Sequence, residues 1–330
     1  MKIEARYYVK KENKKVRCEL CPYDCLIGEG HRGVCGIRIN ERGVLYATTY
    51  NTVSSIHLDP IEKKPLYHFY PGSSILSVGA LGCSFNCMFC QNWELVEGNV
   101  STHETTKEQL YEYAKKMDSI GIAYTYNEPF IWFEFVYDTA RYFREKDMKN
   151  VLITNGFVNI EPLEELIPYI DAMNIDLKAI EDDFYKLVCK GKLEPVKNTI
   201  EYAIKSGVHV ELTNLLVTGY NTDEEKIKAL VDYVASLGKD TILHFSRYFP
   251  SYKLDAPPTP NETLEFAYKY AKKKLNYVYM GNVVDSKTDT TFCPKCGNIL
   301  IERIGYSLKI KGLKGTKCDR CGEEIKIVNH

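Results

Sequence analysis

The chain has 330 residues, and its 43 Lys plus Arg nearly cancel 44 Asp plus Glu, for a formal net charge of −1. That balance excludes a strongly basic nucleic-acid coat and a polyacidic tail, and 45% hydrophobic with 26% charged residues excludes a disordered chain. No apolar run approaches the roughly 20 residues of a membrane helix, and the opening MKIEARYYVKKENKK lacks an apolar signal core, so a cytoplasmic location with no membrane partner is expected. Eleven of the 12 cysteines fall into three tight groups, with Cys189 alone. In a reducing compartment such groups read as metal ligands rather than disulfides. Gln is confined to Gln91 and Gln109 while Lys, Glu and Tyr abound, a bias of thermophilic chains.

Residues 1–70 are expected to form a Cys-rich N-terminal domain, with a basic strand-like opening and short strands such as Val44–Tyr50. Cys18, Cys21, Cys25 and Cys35 are spaced x2, x3 and x9. Four thiolates can close a tetrahedral zinc site or hold an iron–sulfur cluster. GEGHRG, between the last two, supplies glycine turns, and His31 is a spare nitrogen ligand. The reading adopted is a structural zinc that staples a small domain, with an auxiliary cluster as its competitor. The stretch DPIEKKPLYHFYPGS (59–73) contains Pro60, Pro65 and Pro71 and reads as an extended connector.

Residues 71–284 alternate short β-type runs with helical patterns. Strands are expected at Ile75–Ala80, Ile122–Tyr126, Asn150–Thr154, Ala172–Leu177, Val208–Thr213, Thr241–Ser246 and Tyr277–Met280. Helix starts are signalled by Thr105-Thr106-Lys107-Glu108 and Thr222-Asp223-Glu224-Glu225, and a further helix is expected at Thr263–Lys274. Such alternation means a parallel sheet. A doubly wound sheet and a partial barrel both fit, and both place ligands at the carboxyl ends of the strands. The fold class taken is α/β, a partial parallel (β/α)6-type barrel.

The strongest signal is SVGALGCSFNCMFCQNW (77–93), where Cys83, Cys87 and Cys90 are spaced x3 and x2 directly after the first core strand. Three thiolates in one loop can wrap three corners of a cubane, and no fourth cysteine follows nearby, so one iron could stay open for chemistry. The bland competitors are a zinc knuckle, or a ferredoxin-type cluster completed by Cys189.

C-x3-C-x2-C with an aromatic, Phe89, before the last cysteine resembles the radical S-adenosylmethionine (SAM) superfamily. The resemblance implies a [4Fe–4S] cluster whose unique iron chelates SAM, and one-electron cleavage of SAM to a 5′-deoxyadenosyl radical that abstracts hydrogen from a substrate. It also implies a low-potential electron donor of the ferredoxin or flavodoxin type. Tyr126-Asn127-Glu128-Pro129 is similar to the superfamily's Gly-Gly-Glu-like motif for the SAM amino group, without its leading glycines. A carboxylate suits an ammonium there. Thr154-Asn155-Gly156 and Asp176-Leu177-Lys178 resemble strand-end motifs of glycyl-radical activating enzymes that hold the SAM ribose and carboxylate. Those enzymes often place Asp where this chain has Ile153. For Asp176 and Lys178 the competing reading is a surface ion pair. Thr213 and Asn214 end the fifth strand, with Thr213 a further cofactor-binding candidate. His244 and Ser246 lie on the sixth, where a satisfied core histidine is the expected reading. Leu215–Asp223 resembles the loop and helix cap of the activating enzymes.

The longer blocks CELCPYDC (18–25), GHRGVCGIR (30–38), YTYNEP (124–129), HFSRYFPSYK (244–253) and CPKCGNILIERIGY (293–306) resemble one branch, the AmmeMemoRadiSam-system radical SAM enzymes, homologues of the pyruvate formate-lyase activating enzyme. That resemblance implies Memo-like and AMME-related proteins as pathway partners and leaves the substrate open.

Residues 285–330 are expected to form a zinc-ribbon-like C-terminal domain. Cys293, Cys296, Cys318 and Cys321 make two CxxC knuckles, each followed by glycine, a zinc signal in a unit too small to fold on its core alone. Arg303, Lys309, Lys311, Lys314, Lys317 and Arg320 read as a solvated basic face. Against the enzyme stands one other class, a non-catalytic iron–sulfur and zinc protein for electron transfer or nucleic-acid binding.

Overall fold

The computed structural model describes residues 1–283 and 286–329; the expected boundary between residues 284 and 285 lies outside the described residues. Its centre is an eight-stranded sheet: β1 (Ser55–Pro60), β2 (Ser74–Gly79), β3 (Gly121–Tyr124), β4 (Lys149–Thr154), β5 (Ala172–Asp176), β6 (His209–Leu216), β7 (Ile242–Arg247) and β8 (Val278–Gly281). Each strand lies beside its predecessor in the chain. Every pairing from β2 onward is parallel, and β1 runs antiparallel to β2, with Ser55 opposite Gly79 and Pro60 opposite Ser74. A doubly wound order would reverse direction once, and this one does not.

Helices α1 (Lys107–Lys116), α2 (Phe133–Arg144), α3 (Ile160–Leu166), α4 (Leu193–Lys205), α5 (Glu224–Ser236) and α6 (Asn261–Lys272) connect the parallel strands. The Thr106 signal is a full capping box, Thr106 Oγ1 accepting from Gln109 N while Gln109 Oε1 accepts from Thr106 N. The second signal works differently. Asp223 precedes α5 without a side-chain cap, and Thr222 Oγ1 accepts from Gly219 N instead.

Alternation sorts the strand residues onto two faces. Leu76, Ile122, Leu152, Met173, Val210, Leu243 and Val278 pack in one core with the helices. Their neighbours point the other way. Ile75, Ala123, Val151 and Ala172 pack on Ile61, Leu66 and Phe69, and Ile242, Tyr277 and Tyr279 pack on Leu300, Ile301 and Ile325. The helix-free face is therefore filled at its amino-terminal half by residues 61–70 and by the C-terminal unit.

Residues 59–73 are thus more than the expected connector. Asp59 and Pro60 end β1, Ile61–Lys63 form a 3-10 turn, and Leu66, His68 and Phe69 are buried. Pro60 sits at the end of an edge strand, where no ladder donor is needed. Polar groups follow the apolar ones inward. Glu211 accepts from the amides of Tyr67 (3.0 Å) and His68 (2.7 Å) and from Nε2 of His209 (2.9 Å) and His244 (2.6 Å).

The C-terminal unit carries the antiparallel strands Thr291–Phe292, Ile299–Ile304 and Ser307–Ile310. Arg303, expected on the solvated face, is instead fully buried. It donates to the Tyr67 carbonyl (2.7 Å) and Thr291 Oγ1 (2.8 Å), with its guanidinium 4.4 Å from the Tyr67 ring centroid. Strand alternation turns this one cation inward, while Lys309, Lys311, Lys314, Lys317 and Arg320 are exposed.

The N-terminal residues form two small three-stranded sheets whose Val16, Leu20, Ile27 and Leu45 join the main core. Arg38, 1% exposed, ties them to α2 by donating to Glu134 (2.5 Å) and to the Arg6 carbonyl (2.8 Å). Among the described residues no helix is long and apolar enough to cross a membrane.

Candidate active site

The loop after β2 carries Cys83, Cys87 and Cys90, and backbone bonds hold it from two sides. Asn86 N and Met88 N donate to the carbonyls of Cys189 and Val188, both at 3.0 Å, and Lys253 N donates to the Met88 carbonyl at 2.9 Å. Gly82 opens the loop at φ +78, and a Cβ there would run into the Cys35 carbonyl, so only glycine fits.

The three thiols open onto a cavity of about 370 Å³ at the carboxyl ends of the strands, also lined by Phe89, Asn127, Glu128, Asn155, Asp176, Lys178 and Thr213. All seven side chains singled out beside the cysteines are therefore brought together with them. The cavity also has Ile153 on its wall, an apolar contact where the similar enzymes often have Asp, and Asn92, Lys63, Lys64 and Asn282, none of which was expected as a site residue. Lys63 and Lys64 reach it because the chain turns back after β1, which composition does not reveal. They bond Asp59 at 2.8 and 2.7 Å. Burial would raise the Asp59 pKa, but the hydrogen bonds from Lys63, Lys64 and Tyr126 hold it well below the usual carboxylate range.

Asn127 and Glu128 serve the protein's own backbone first. Asn127 Oδ1 accepts from Ala80 N, and its Nδ2 donates to the Leu81 and Gly82 carbonyls, so this side chain staples the start of the cysteine loop. Glu128 is 1% exposed. Oε1 accepts from Phe130 N (3.0 Å) and Thr154 Oγ1 (2.7 Å), and Oε2 from Asn155 N (2.8 Å). Burial outweighs these bonds and pushes its pKa up to about 7. Acceptor capacity for a ligand remains on Oε2. Tyr126 stands at φ +71, a conformation natural to glycine, and its hydroxyl is tied to Asp59 at 2.6 Å.

Asn155 Nδ2 donates to Ser84 Oγ at 3.1 Å and lies 3.7 Å from Cys83 Sγ, which also takes the Phe85 amide at 3.4 Å. Hydrogen bonds to a ligating sulfur orient it and tune the metal it binds. The Asp176–Lys178 pair (2.8 Å) is not a free surface pair, because the Lys178 side chain is only 13% exposed. Thr213 Oγ1 donates to Asn174 Oδ1 at 2.9 Å. His244 is buried on Glu211 and absent from the cavity lining, the satisfied core histidine expected. Cys189 is fully buried and does not line the cavity. It gives the ferredoxin-type alternative no fourth ligand on the cavity side.

The flanking quartets differ. Cys293, Cys296, Cys318 and Cys321 bring their sulfurs within 4.8 Å of one another, with Cys293–Cys321 at 3.5 Å and Cys296–Cys318 at 3.7 Å. Among the described residues no other group of three or more His, Cys, Asp or Glu ligands is so tightly gathered.

Residues 78–234 match the Radical SAM superfamily model. Across 333 aligned positions the chain is 47% identical to the uncharacterized protein MJ0808 of Methanocaldococcus jannaschii, covering 98% of this chain and 99% of that one. The chain belongs to the radical SAM superfamily and is an enzyme, one of a family that binds a [4Fe–4S] cluster and SAM. Among more distant relatives is the pyruvate formate-lyase 1-activating enzyme of Escherichia coli, 25% identical over 203 residues, covering 56% of this chain and 82% of that one. A solved radical SAM methyltransferase from Sphaerobacter thermophilus shares the fold, with a TM-score of 0.51 at 15% identity over 90% of this chain and 81% of that one.

Proposed function

We propose that the cavity holds a [4Fe–4S] cluster on Cys83, Cys87 and Cys90 and SAM beside it, and that the protein abstracts hydrogen from a substrate admitted at the same mouth. The observation that carries this reading is three family-spaced thiols facing one cavity with no fourth protein thiol on its lining. When bound there, the cluster supplies the electron that splits SAM to a 5′-deoxyadenosyl radical.

The chain's own groups orient the nucleotide. Glu128 accepts from the SAM ammonium through Oε2, and Asn155, Asp176, Lys178 and Thr213 contact its ribose and carboxylate. Asn127 keeps the loop in register and Phe89 shields the cluster. Anaerobic reconstitution, reduction with dithionite and addition of SAM should yield 5′-deoxyadenosine; none with a fully loaded cluster would defeat the proposal.

Glu128 gives this reading a pH signature. A carboxyl raised to about 7 is partly protonated at neutrality, and an ammonium partner favours its ionised form. SAM affinity should rise between pH 6 and 8 with release of a proton. In Glu128→Gln the affinity should fall by roughly tenfold, about 1.4 kcal/mol, and lose that slope, as read by calorimetry in buffers of different ionisation heat.

The sheet's sequential strand order and its filled helix-free face support a partial-barrel description of the core. For the C-terminal quartet we propose zinc, whose Zn–S bonds of about 2.3 Å put tetrahedral thiolates about 3.8 Å apart, close to the spacings found. Cys318→Ala should lose one zinc per chain and lower the melting temperature, measured by metal analysis and scanning calorimetry.

The quoted sequence blocks further support placement in the AmmeMemoRadiSam-system branch, with Memo-like and AMME-related proteins as pathway partners and a ferredoxin- or flavodoxin-type donor. A cytoplasmic setting agrees with 12 unpaired cysteines.

A further inference from the structure

Sulfur spacing distinguishes the three cysteine groups. One metal ion draws four thiolates to about 3.8 Å from one another, whereas a cubane spreads them to roughly 6 Å, because each caps a different iron. The C-terminal quartet has the close spacing. Cys18, Cys21, Cys25 and Cys35 do not. Among the described residues neither they nor Cys83, Cys87 and Cys90, whose family binds a cubane, are gathered within 4.8 Å of one another. The four are nevertheless held on one fold of the chain, where Cys18 N donates to the Cys25 carbonyl at 2.9 Å, Asp24 N donates to the Cys21 carbonyl at 3.0 Å, and Gly33, two residues before Cys35, packs on the Cys25 thiol. His31 is exposed, with Nδ1 on the Glu29 carbonyl at 2.9 Å.

The quartet also lies against the catalytic loop. The Cys35 carbonyl packs on Gly82, next to Cys83. From the turn between Cys21 and Cys25, the Tyr23 ring meets Phe157 at 5.2 Å, and Phe157 meets Phe85 of the catalytic loop at 5.0 Å. A zinc staple has no need of that position.

We propose that Cys18, Cys21, Cys25 and Cys35 bind a second iron–sulfur cluster, ligated wholly by thiolates, that relays electrons to the centre at Cys83, Cys87 and Cys90. It accepts one electron from a ferredoxin- or flavodoxin-type donor and passes it on, returning to its oxidised state. With four protein ligands it has no open iron for substrate. The relay role rests on the catalytic reading above; the cluster assignment does not.

The test separates the two. The triple variant Cys83→Ala, Cys87→Ala, Cys90→Ala, reconstituted anaerobically with iron and sulfide, should keep about four irons per chain and a reduced-state EPR signal that SAM leaves unchanged. The Cys18→Ala, Cys21→Ala variant should lose about half of the wild-type iron, keep a SAM-sensitive EPR signal, and be reduced at least tenfold more slowly by flavodoxin. An iron-free triple variant, two zincs per wild-type chain, or a Cys18→Ala, Cys21→Ala variant with undiminished iron would each overturn the second cluster. Wild-type protein with eight irons, no response to SAM and no 5′-deoxyadenosine would instead sink the catalytic reading alone.

Discussion

Replacing Cys83, Cys87 or Cys90 with alanine should abolish 5′-deoxyadenosine formation, a loss beyond a thousandfold, while the circular dichroism spectrum stays that of the wild type. Each thiol is one of three anchors, and a cubane bound by two cannot be kept in register with the cavity. The backbone should survive because it is tied down independently of the cysteine side chains, through Asn86, Met88 and Lys253 on the main chain and Asn127 beneath it. Any one variant with full cleavage activity under dithionite would show that its sulfur is not a ligand. Asn127→Ala is the informative companion: it leaves all three thiols in place and removes the staple, so it should lower cluster occupancy without removing it.

The largest stability effect is expected at Glu211→Ala, about 3–5 kcal/mol, because removing one partner of a buried charged network strands the others. Two amides and two imidazoles point at this carboxylate, which is wholly buried. Urea denaturation would measure the loss. Glu211→Gln, which keeps acceptor capacity on one side, should cost less. Burial alone would raise the Glu211 pKa, but the bonds from His209 and His244 outweigh it and hold it well below the usual range. A depressed carboxyl stabilises fully above its unfolded pKa, and that contribution is lost as pH falls through the folded value. Wild-type stability should therefore drop on acidification more steeply than that of Glu211→Gln.

The seven parallel strands were legible in the sequence because each carries apolar residues on its helix-facing side and turn residues bound them. Edges moved by up to three residues at an end, as where Val208–Thr213 became His209–Leu216. The cavity was legible too, since strand-end motifs converge by topology alone. Long-range partners were not. Nothing local marks residues 61–70 as filling for the sheet, because Pro60, Pro65 and Pro71 dominate the pattern while Leu66 and Phe69 have no period to reveal them. Arg303 has the same cause: a lone cation among lysines reads as solvated until its strand is seen to turn it toward Tyr67. Glu128 shows a third limit, for the motif located the carboxylate but not its ties to Thr154 and Asn155.

One arrangement bears on how the molecule is made. His68 Nδ1 rests on the Lys326 carbonyl, Phe69 bridges Val328, and Arg303 holds Tyr67, so a segment synthesised before β2 finds these three partners only after β8. Translation runs from the amino end. On the ribosome the emerging sheet must therefore wait with Tyr67, His68 and Phe69 short of Arg303, Lys326 and Val328, an interval in which a holding chaperone would have the most to grip.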